Sequence, residues 1–281
     1  MIKKIAAGIF PRLLKNVPKD KKWLYPFYLA GQLHLSEETY ESAHLPAAFD
    51  NLSIAFLSDI HYGPFLKKEE ALSVVQKVVD LDTDLIILGG DYGDIPTNSL
   101  AFFNLIPAFP ADKTVLAVLG NHDIGAKHQI IVPDILDAMR AKNIIPLVNE
   151  THILTREGKR LAVCGPDDKR CGRPDFEPLI AASQDADFVL FIPHSPDLIP
   201  DAYAADFAFH LALCGHTHGG QLVFFGRTLH SSSIYKDRYR SGWYQENGVD
   251  IRVSNGVGTS ILPMRIGPVP EIHHIVLRAK A

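Results

Sequence analysis

Cysteine is scarce in this chain, and a disulfide framework is not expected. The 281 residues include three cysteines, Cys164, Cys171 and Cys214, none of them in a Cys-x-x-Cys pair. The odd number argues against a set of disulfides, although Cys164 and Cys171 could pair around a loop. Cys214 ends an apolar run, so we expect it in the core. This usage favours a reducing compartment, and we expect a cytoplasmic protein.

Long apolar runs and a strong net charge are also missing. No stretch approaches the roughly 20 apolar residues that a membrane-spanning helix needs. The start is not a convincing signal peptide, because the apolar run 5–10 is short and Pro11-Arg12 follows it. The formal net charge is −4, so the overall charge does not indicate a nucleic-acid partner.

The first 48 residues differ from the rest, so we divide the chain into an N-terminal segment, 1–48, and a domain, 49–281. The first 22 residues carry seven Lys or Arg against one Asp, and apolar residues recur at helical spacing from Ile2 to Val17. An aromatic cluster, 23–28, follows.

A basic amphipathic helix with interfacial aromatics is typical of a segment that lies on an anionic membrane. Residues 1–28 therefore predict a peripheral contact with the inner face of a membrane. The alternatives are a helix docked on the domain with solvated lysines and a disordered segment, and Pro11 weakens a single continuous helix.

From residue 49 onward, short apolar runs alternate with helical patterns. Their β-branched and aromatic content predicts strands over 52–57, 85–88, 114–119, 161–164, 188–192 and 207–213. The patterns predict helices over 67–81 and 133–141, a loop over 238–248 and a terminal strand over 273–277. Strands separated by helices indicate a largely parallel sheet, and hence an α/β fold.

Five short polar motifs follow directly after apolar runs. They are Ser58-Asp59-Ile60-His61, Gly90-Asp91-Tyr92-Gly93-Asp94, Gly120-Asn121-His122-Asp123, Pro193-His194-Ser195 and Gly215-His216-Thr217-His218. Because strand ends meet at one edge of an α/β sheet, we expect the motifs to converge. Their oxygen and imidazole donors are those that hard and borderline cations prefer. Any one motif is more often a turn or a cap, but together they predict a dinuclear metal site.

The order of the motifs resembles the calcineurin-like metallophosphoesterase superfamily, whose signature runs Asp-x-His, Gly-Asp, Gly-Asn-His-(Asp/Glu), His and Gly-His-x-His. The resemblance implies a four-layer α/β/β/α sandwich and a hydrolase of phosphoric esters that uses two divalent metal ions. It implies that Asp91 bridges the two ions, that Asp59, His61 and His218 hold one, and that Asn121, His194 and His216 hold the other. His122 would be a catalytic histidine near the scissile phosphate, and Asp94 would orient it. We expect Asp123 to be structural.

Further residues narrow the resemblance to one subgroup of the superfamily. Asp94 replaces the tyrosine of purple acid phosphatases, and His122 replaces the arginine of a lipid A pathway branch, so the chain departs from both. Residues 215–221, 254–260 and 263–272 resemble bacterial YkuE-like or YaeI-like phosphoesterases. Members of that subgroup are often targeted to membranes, and some act on UDP-diacylglucosamine or on phospholipids.

The resemblance therefore implies hydrolysis of a phosphodiester or diphosphate bond in a lipid-linked substrate at the membrane. A soluble nucleotide phosphodiesterase is the alternative, and a non-catalytic scaffold of the same fold is a third possibility. We expect manganese, and mixed nitrogen and oxygen ligands also accept iron, cobalt or zinc.

Five residues outside the motifs have roles that the sequence suggests less clearly. Arg265 could contact phosphate or form a structural salt bridge. Asp167 and Asp168 could line the cleft or be solvated loop carboxylates. We expect His210 to pack within its apolar strand, whereas His230 could meet substrate.

Overall fold

Two six-stranded sheets lie at the centre of the computed structural model, which describes residues 14, 16–125, 131–229 and 231–280. The helices are α1 (Tyr25–Ala30), α2 (Lys68–Asp80), α3 (Pro96–Leu105), α4 (Asn121–Ile124), α5 (Val132–Arg140), α6 (Glu177–Ser183) and α7 (Ile199–Ala204). The strands are β1 (His34–Ser42), β2 (Ser53–Leu57), β3 (Leu85–Leu88), β4 (Thr114–Ala117), β5 (Ile145–Pro146), β6 (Glu150–Arg156), β7 (Lys159–Gly165), β8 (Phe188–Phe191), β9 (Leu211–Cys214), β10 (Val223–Phe224), β11 (Arg227–Thr228), β12 (Gly242–Glu246), β13 (Val249–Val253) and β14 (Glu271–Ala279).

Each sheet has a parallel centre that the apolar runs build. The first sheet has the order β1-β14-β2-β3-β4-β5, in which β2 to β5 are parallel and β14 is antiparallel to β2. The second sheet has the order β12-β13-β9-β8-β7-β6, with β13, β9, β8 and β7 parallel and an antiparallel strand at each edge. Parallel strands are buried on both faces, which explains their continuous apolar runs.

The side chains of β2 show how the layers stack. Ile54 and Phe56 point into the core between the two sheets, and Ala55 and Leu57 point into the core beneath helices α2, α3 and α5. A third core lies on the outer face of the second sheet and includes Leu179 of α6. The predicted four-layer α/β/β/α sandwich is therefore confirmed.

The first sheet begins earlier in the chain than the predicted boundary at residue 49. Strand β1 pairs in parallel with β14 over nine residues, from His34 with Glu271 to Ser42 with Ala279. The exposed residues that alternate along β1 hid it, because an edge strand has little apolar content to detect. The domain therefore includes part of the segment 1–48.

The N-terminal segment contacts the domain where the structure describes it. Lys19 Nζ donates to the carbonyl of Phe65 at 2.6 Å and to Glu70 at 2.8 Å, and the amide of Arg265 donates to the carbonyl of Pro26 at 2.8 Å. Residues 1–13 and 15, which hold most of the predicted amphipathic helix, lie outside the described residues.

A β-hairpin replaces the predicted loop 238–248. Strands β12 and β13 pair through a two-residue turn in which Asn247 (φ 53°) and Gly248 (φ 81°) are both left-handed. Asn-Gly is the strongest short hairpin signal, so the prediction of a loop was wrong for a reason visible in the sequence.

Within the described part of the chain, no helix combines the length and the apolar character that a membrane span requires.

Candidate metal centre

The five motifs converge at one edge of the two sheets, as their positions after apolar runs predict. Strands β2, β3 and β4 of the first sheet and β8 and β9 of the second end beside one another, and each is followed by its polar motif. The seven predicted ligands are all buried, with exposed fractions between 0% and 9%: Asp59, His61, Asp91, Asn121, His194, His216 and His218.

One cluster contains Asp59, His61 and His218, whose potential ligand atoms lie within 4.8 Å of one another. The Nε2 atoms of His61 and His218 are 3.0 Å apart, and Nε2 of His218 is 3.6 Å from Oδ1 of Asp59. Two imidazole nitrogens and a carboxylate this close and this buried are suited to share one cation.

A second cluster contains Asp91, His194 and His216, again within 4.8 Å. Oδ2 of Asp91 lies 3.2 Å from Nε2 of His194 and 3.7 Å from Nε2 of His61. One carboxylate therefore faces both clusters, which is the position that the resemblance assigns to the bridging residue.

Unpartnered buried atoms at the site fit a dinuclear centre. Oδ1 of Asn121 and Nε2 of His194 are buried and have no hydrogen-bond partner among the described residues. Because a buried polar atom without a partner is costly, these two atoms indicate that a further group binds here. Both belong to residues predicted to hold the same metal ion.

Hydrogen bonds fix the rings of two ligand histidines, and two of the rings are neutral. Nδ1 of His194 lies 2.7 Å from the carbonyl of Gly89, so the ring donates there and its Nε2 faces Asp91. Burial alone would lower the pKa of His194, but the Asp91 and Asp59 carboxylates outweigh that effect and raise it. Nε2 of His216 lies 3.3 Å from the carbonyl of Ser232, which leaves its Nδ1 as the ligand atom. Burial lowers the pKa of His61 and of His216 to about 3, so both rings are neutral.

The backbone at the ligands is left-handed. Five of the ligands have φ between 48° and 70°, a region that residues other than glycine rarely adopt: Asp59, His61, Asp91, His216 and His218. The amide of Asp59 donates to the carbonyl of Gly90 at 2.9 Å, and the amide of His61 donates to the carbonyl of Asp91 at 3.0 Å. Interlocked turns therefore hold a conformation that is unfavourable alone, as is common at functional sites.

Asp123 holds two of the motif turns together, as predicted for a structural residue. Its Oδ2 accepts from the amides of Asp91 (2.7 Å) and Gly120 (2.8 Å), and its Oδ1 accepts from the amide of Tyr92 (2.9 Å). Burial and the nearby Asp91 raise the pKa of its carboxyl to about 6.

His122 lies at the mouth of the site and makes a different contact from the predicted one. Its Nδ1 is 2.7 Å from the main-chain carbonyl of Asp94, whereas the Asp94 carboxylate accepts from Asn98. Asp94 is therefore placed to orient the ring through its backbone, not through its side chain. Burial lowers the pKa of His122, but Asp91 and the Asp94 carbonyl outweigh that effect and raise it.

Two of the residues with alternative predicted roles, Arg265 and Asp168, are buried. Arg265 has no exposed surface and donates to the main-chain carbonyls of His218 (3.3 Å) and Asn255 (2.8 Å), so neither phosphate contact nor a salt bridge describes it. Asp168 is 1% exposed, and its Oδ1 accepts from the amides of Arg170 and Cys171, so it is not a solvated loop carboxylate. Asp167 caps the same loop through the amide of Arg173.

Two further histidines singled out from the sequence, His210 and His230, are not predicted metal ligands. His210 stacks on Phe188 with ring centroids 4.9 Å apart, and its Nδ1 accepts from the amide of Val189, as expected for a packed residue. His230 lies outside the described residues.

A cavity of about 360 Å³ opens beside the metal ligands. Its lining includes the polar residues Asp91, His122, His216 and His218 and the apolar residues Leu222, Leu229, Ile261 and Leu262. Sequence analysis missed these four, because their segments show no periodicity that separates a cavity wall from a loop. Gly226, in the middle of 222–229, was the one local indication of a turn there.

The chain is similar in sequence to known metallophosphoesterases. A sequence model of the calcineurin-like phosphoesterase family matches residues 52–220. The uncharacterized metallophosphoesterase YkuE of Bacillus subtilis (strain 168) is 29% identical over 262 residues, covering 91% of this chain and 89% of that protein. Phosphodiesterase YaeI of Escherichia coli (strain K12) is 28% identical over 225 residues, covering 78% and 79%. A solved dimetal phosphatase from Danio rerio is 9% identical, covering 74% of this chain and 88% of that chain, with a TM-score of 0.42.

Proposed function

The chain belongs to the calcineurin-like phosphoesterase family and is a hydrolase of phosphoric esters, and on that premise we propose that its substrate is a lipid-linked phosphodiester or diphosphate. One observation carries the proposal: a single cavity joins the metal-ligand histidines to a wall of four apolar side chains. A substrate that fits both sides needs a phosphate group and an apolar body.

The ligand side of the cavity explains the hydrolysis. We propose that Asp59, His61 and His218 hold one divalent cation, that Asn121, His194 and His216 hold a second, and that Asp91 contacts both. Bound there, the two cations would neutralise the phosphate oxygens and lower the pKa of the attacking water. We propose manganese, and the donor set is equally compatible with iron, cobalt or zinc.

His122 supplies the proton that the leaving group needs. Its Nδ1 donates to the Asp94 carbonyl at 2.7 Å, and the ring lines the cavity. The opposite nitrogen, Nε2, can therefore give a proton to the alkoxide or phosphate that departs.

The apolar side of the cavity favours a lipid over a free nucleotide. Leu222, Leu229, Ile261 and Leu262 offer methyl groups, and the described lining includes no Phe, Tyr or Trp ring for a base to stack on. Arg170 lines the same cavity, and a guanidinium suits a second phosphate. A diphosphate with an acyl chain on one side is compatible with all of these groups.

We also propose peripheral membrane contact through residues 1–28. In the described part of this segment, Trp23 is 79% exposed and Tyr25 is 50% exposed, and aromatic residues favour the interface of a bilayer. A docked segment and a membrane-bound one are compatible with each other, because Lys19 and Pro26 contact the domain while Trp23 points outward.

The test compares substrates on the metal-loaded protein. Bis-p-nitrophenyl phosphate reports hydrolysis of a small diester, and a lipid-linked diphosphate in mixed micelles and a nucleotide diester report the substrate class. We expect cleavage of the small diester that EDTA abolishes, and a kcat/KM for the lipid at least about 100-fold above that for the nucleotide, because remote binding groups raise the rate.

Matched variants separate the parts of the proposal. His216→Ala should lower the bound metal content, and His34→Ala, which removes an exposed histidine away from the site, should not. A preference for nucleotides would refute the lipid proposal and favour the soluble phosphodiesterase. Protein that binds no metal and cleaves no ester would be the non-catalytic scaffold.

A further inference from the structure

The hairpin β10–β11 carries a fully exposed phenylalanine at its tip. Phe225 has the accessibility of an extended peptide, at 104%, and its φ is 49°, followed by Gly226 at 78°. A two-residue turn with both φ values positive normally has Asn or Gly at its first position. A bulky apolar residue there is strained and gains no burial in exchange.

Ile261 repeats this combination on a second loop. It is 66% exposed and has a φ of 66°, although a β-branched residue strongly disfavours the left-handed region. Folding does not explain either residue, since Asn would fit both backbones better and would leave no apolar surface in water. An exposed apolar residue that costs stability indicates a surface with a function.

The two loops form one unit around the cavity. The Gln221 side chain donates from Nε2 to the carbonyls of Ser260 (2.9 Å) and Leu262 (3.0 Å) and accepts from the amide of Ser260 at 2.9 Å. Leu229, which is 68% exposed, and Ile261 both line the cavity that contains the metal-ligand histidines. We call these two residues, together with Phe224 and Phe225 of the adjoining hairpin, the apolar rim.

Cationic side chains lie at the hairpin and in the cavity lining, and one carboxylate, that of Asp237, accepts from Thr228 of β11 at 2.6 Å. Arg170, Arg227, Lys236 and Arg240 have no carboxylate partner among the described residues. Nη1 of Arg240 donates to the carbonyl of Gly226 at 2.6 Å, which places a guanidinium at the hairpin turn beside Phe225. Apolar tips flanked by unpaired cations are complementary to an anionic lipid surface.

We propose that the apolar rim inserts into the interfacial layer of an anionic bilayer, with Phe225 and Ile261 as its anchors. The mouth of the cavity then faces the lipid, and a substrate can enter with its acyl chain against the rim and its phosphate toward the metal ligands. The inference rests on the proposed lipid-linked substrate. It adds a second contact, separate from residues 1–28, which sets the orientation of the site.

The test uses the full-length, metal-loaded protein with vesicles of phosphatidylcholine, with and without phosphatidylglycerol. Phe225→Asn suits the turn, so it should not lower the unfolding temperature, yet it should weaken binding to anionic vesicles about ten-fold, the loss expected for one buried aromatic ring. Ile145→Asn removes another exposed isoleucine, on edge strand β5, and should bind normally. Ile145→Asn should also hydrolyse bis-p-nitrophenyl phosphate at the wild-type rate.

A second measurement reports on the hairpin itself. Phe225→Trp should add a fluorescence emission that shifts to the blue with anionic vesicles, beyond the signal of wild type. The shift should persist when Trp23→Ser is combined with Phe225→Trp. Equal binding by wild type and Phe225→Asn without a shift, or no vesicle binding by wild type, would overturn the inference. An absence of diester hydrolysis in wild type would instead contradict the proposed function.

Discussion

The Nδ1 atom of His122 lies 2.7 Å from the main-chain carbonyl oxygen of Asp94, and the Asp94 carboxylate takes no part in this contact. The identity of residue 94 therefore matters less to the imidazole than the path of the backbone there. Ile95 and Pro96 follow directly and begin helix α3, and the amide of Asp94 donates to the carbonyl of Tyr62 at 3.3 Å. The turn is thus anchored on both sides.

Asp94→Asn should consequently retain most of the activity. We expect kcat on bis-p-nitrophenyl phosphate to fall less than ten-fold, whereas His122→Asn should lose about 10²- to 10⁴-fold, the usual contribution of general acid catalysis. Both variants should keep the metal content of wild type, since neither residue is a proposed ligand. An equal loss in the two variants would show that the carboxylate, not the carbonyl, orients the ring.

The layered fold and the convergence of the motifs were predictable because both follow from local patterns. Buried parallel strands such as Leu85–Leu88 read as apolar runs, and a polar residue after such a run lies at the sheet edge. Edge elements carry less of this information. Strand β1 alternates exposed residues, and β12 presents Trp243 and Gln245 in a stretch that resembles a loop.

The site could be predicted in residue type but not in backbone detail. No sequence rule places Asp59 or His216 in the left-handed region, because that conformation results from hydrogen bonds between turns distant in the sequence. The same limit applies to Arg265, whose partners are main-chain carbonyls that no residue pattern reveals. The apolar cavity wall depends on the packing of two loops and was equally hidden.

Gly120 should be essential for metal binding, because a side chain at this position would collide with Asp91. A Cβ atom there would overlap Oδ1 of Asp91 and lie 2.6 Å from the main-chain nitrogen of Asp91. Gly120→Ala should therefore displace the carboxylate that faces both clusters and reduce the bound metal, as measured by elemental analysis. Gly248 has a left-handed φ and open space around it, so Gly248→Ala should cost about 1 kcal/mol of unfolding free energy and keep its metal. Full metal content in Gly120→Ala would contradict the steric argument.

Arg265 should be required for stability. The Nη2 atom donates to the carbonyls of Asn255 (2.8 Å) and Gly256 (3.1 Å), and Nη1 donates to that of His218, so one guanidinium connects two loops behind the metal ligands. Burial lowers its pKa to about 10, which leaves it charged at neutral pH. Arg265→Lys cannot reach all of these acceptors, and we expect it to lower the free energy of unfolding by about 3 kcal/mol.

Urea unfolding measures this loss, and Arg278→Lys is the matched control. Arg278 pairs with Asp50 at 3.2 Å on the surface, and its side chain is 46% exposed, so its replacement should change the free energy of unfolding by about 0.5 kcal/mol or less. Equal effects of the two substitutions would show that the buried carbonyls find other partners.

His273 should make the stability fall as the pH rises above neutrality. It is fully buried between the two sheets, where Nδ1 lies 2.7 Å from Glu38, and Arg252 pairs with the same carboxylate at 2.9 Å. Burial alone would lower the pKa of His273, but hydrogen bonds to Glu271 and Glu38 outweigh that effect and raise it. The folded chain therefore retains this proton at a pH where the unfolded chain has lost it.

The sign of the pH effect follows from that difference. Below about pH 6.5, the pKa of an unfolded histidine, both states are protonated and the stabilisation is fully present; it is lost as the pH rises through the folded pKa. Urea unfolding of wild type from pH 6 to 9 should show this decline, and His273→Gln should lack that component and be less stable at pH 6 by about 3 kcal/mol. His274→Gln, which removes the neighbouring histidine paired with Glu37 at the surface, should keep the wild-type decline. A decline that persists in His273→Gln would assign it to another group.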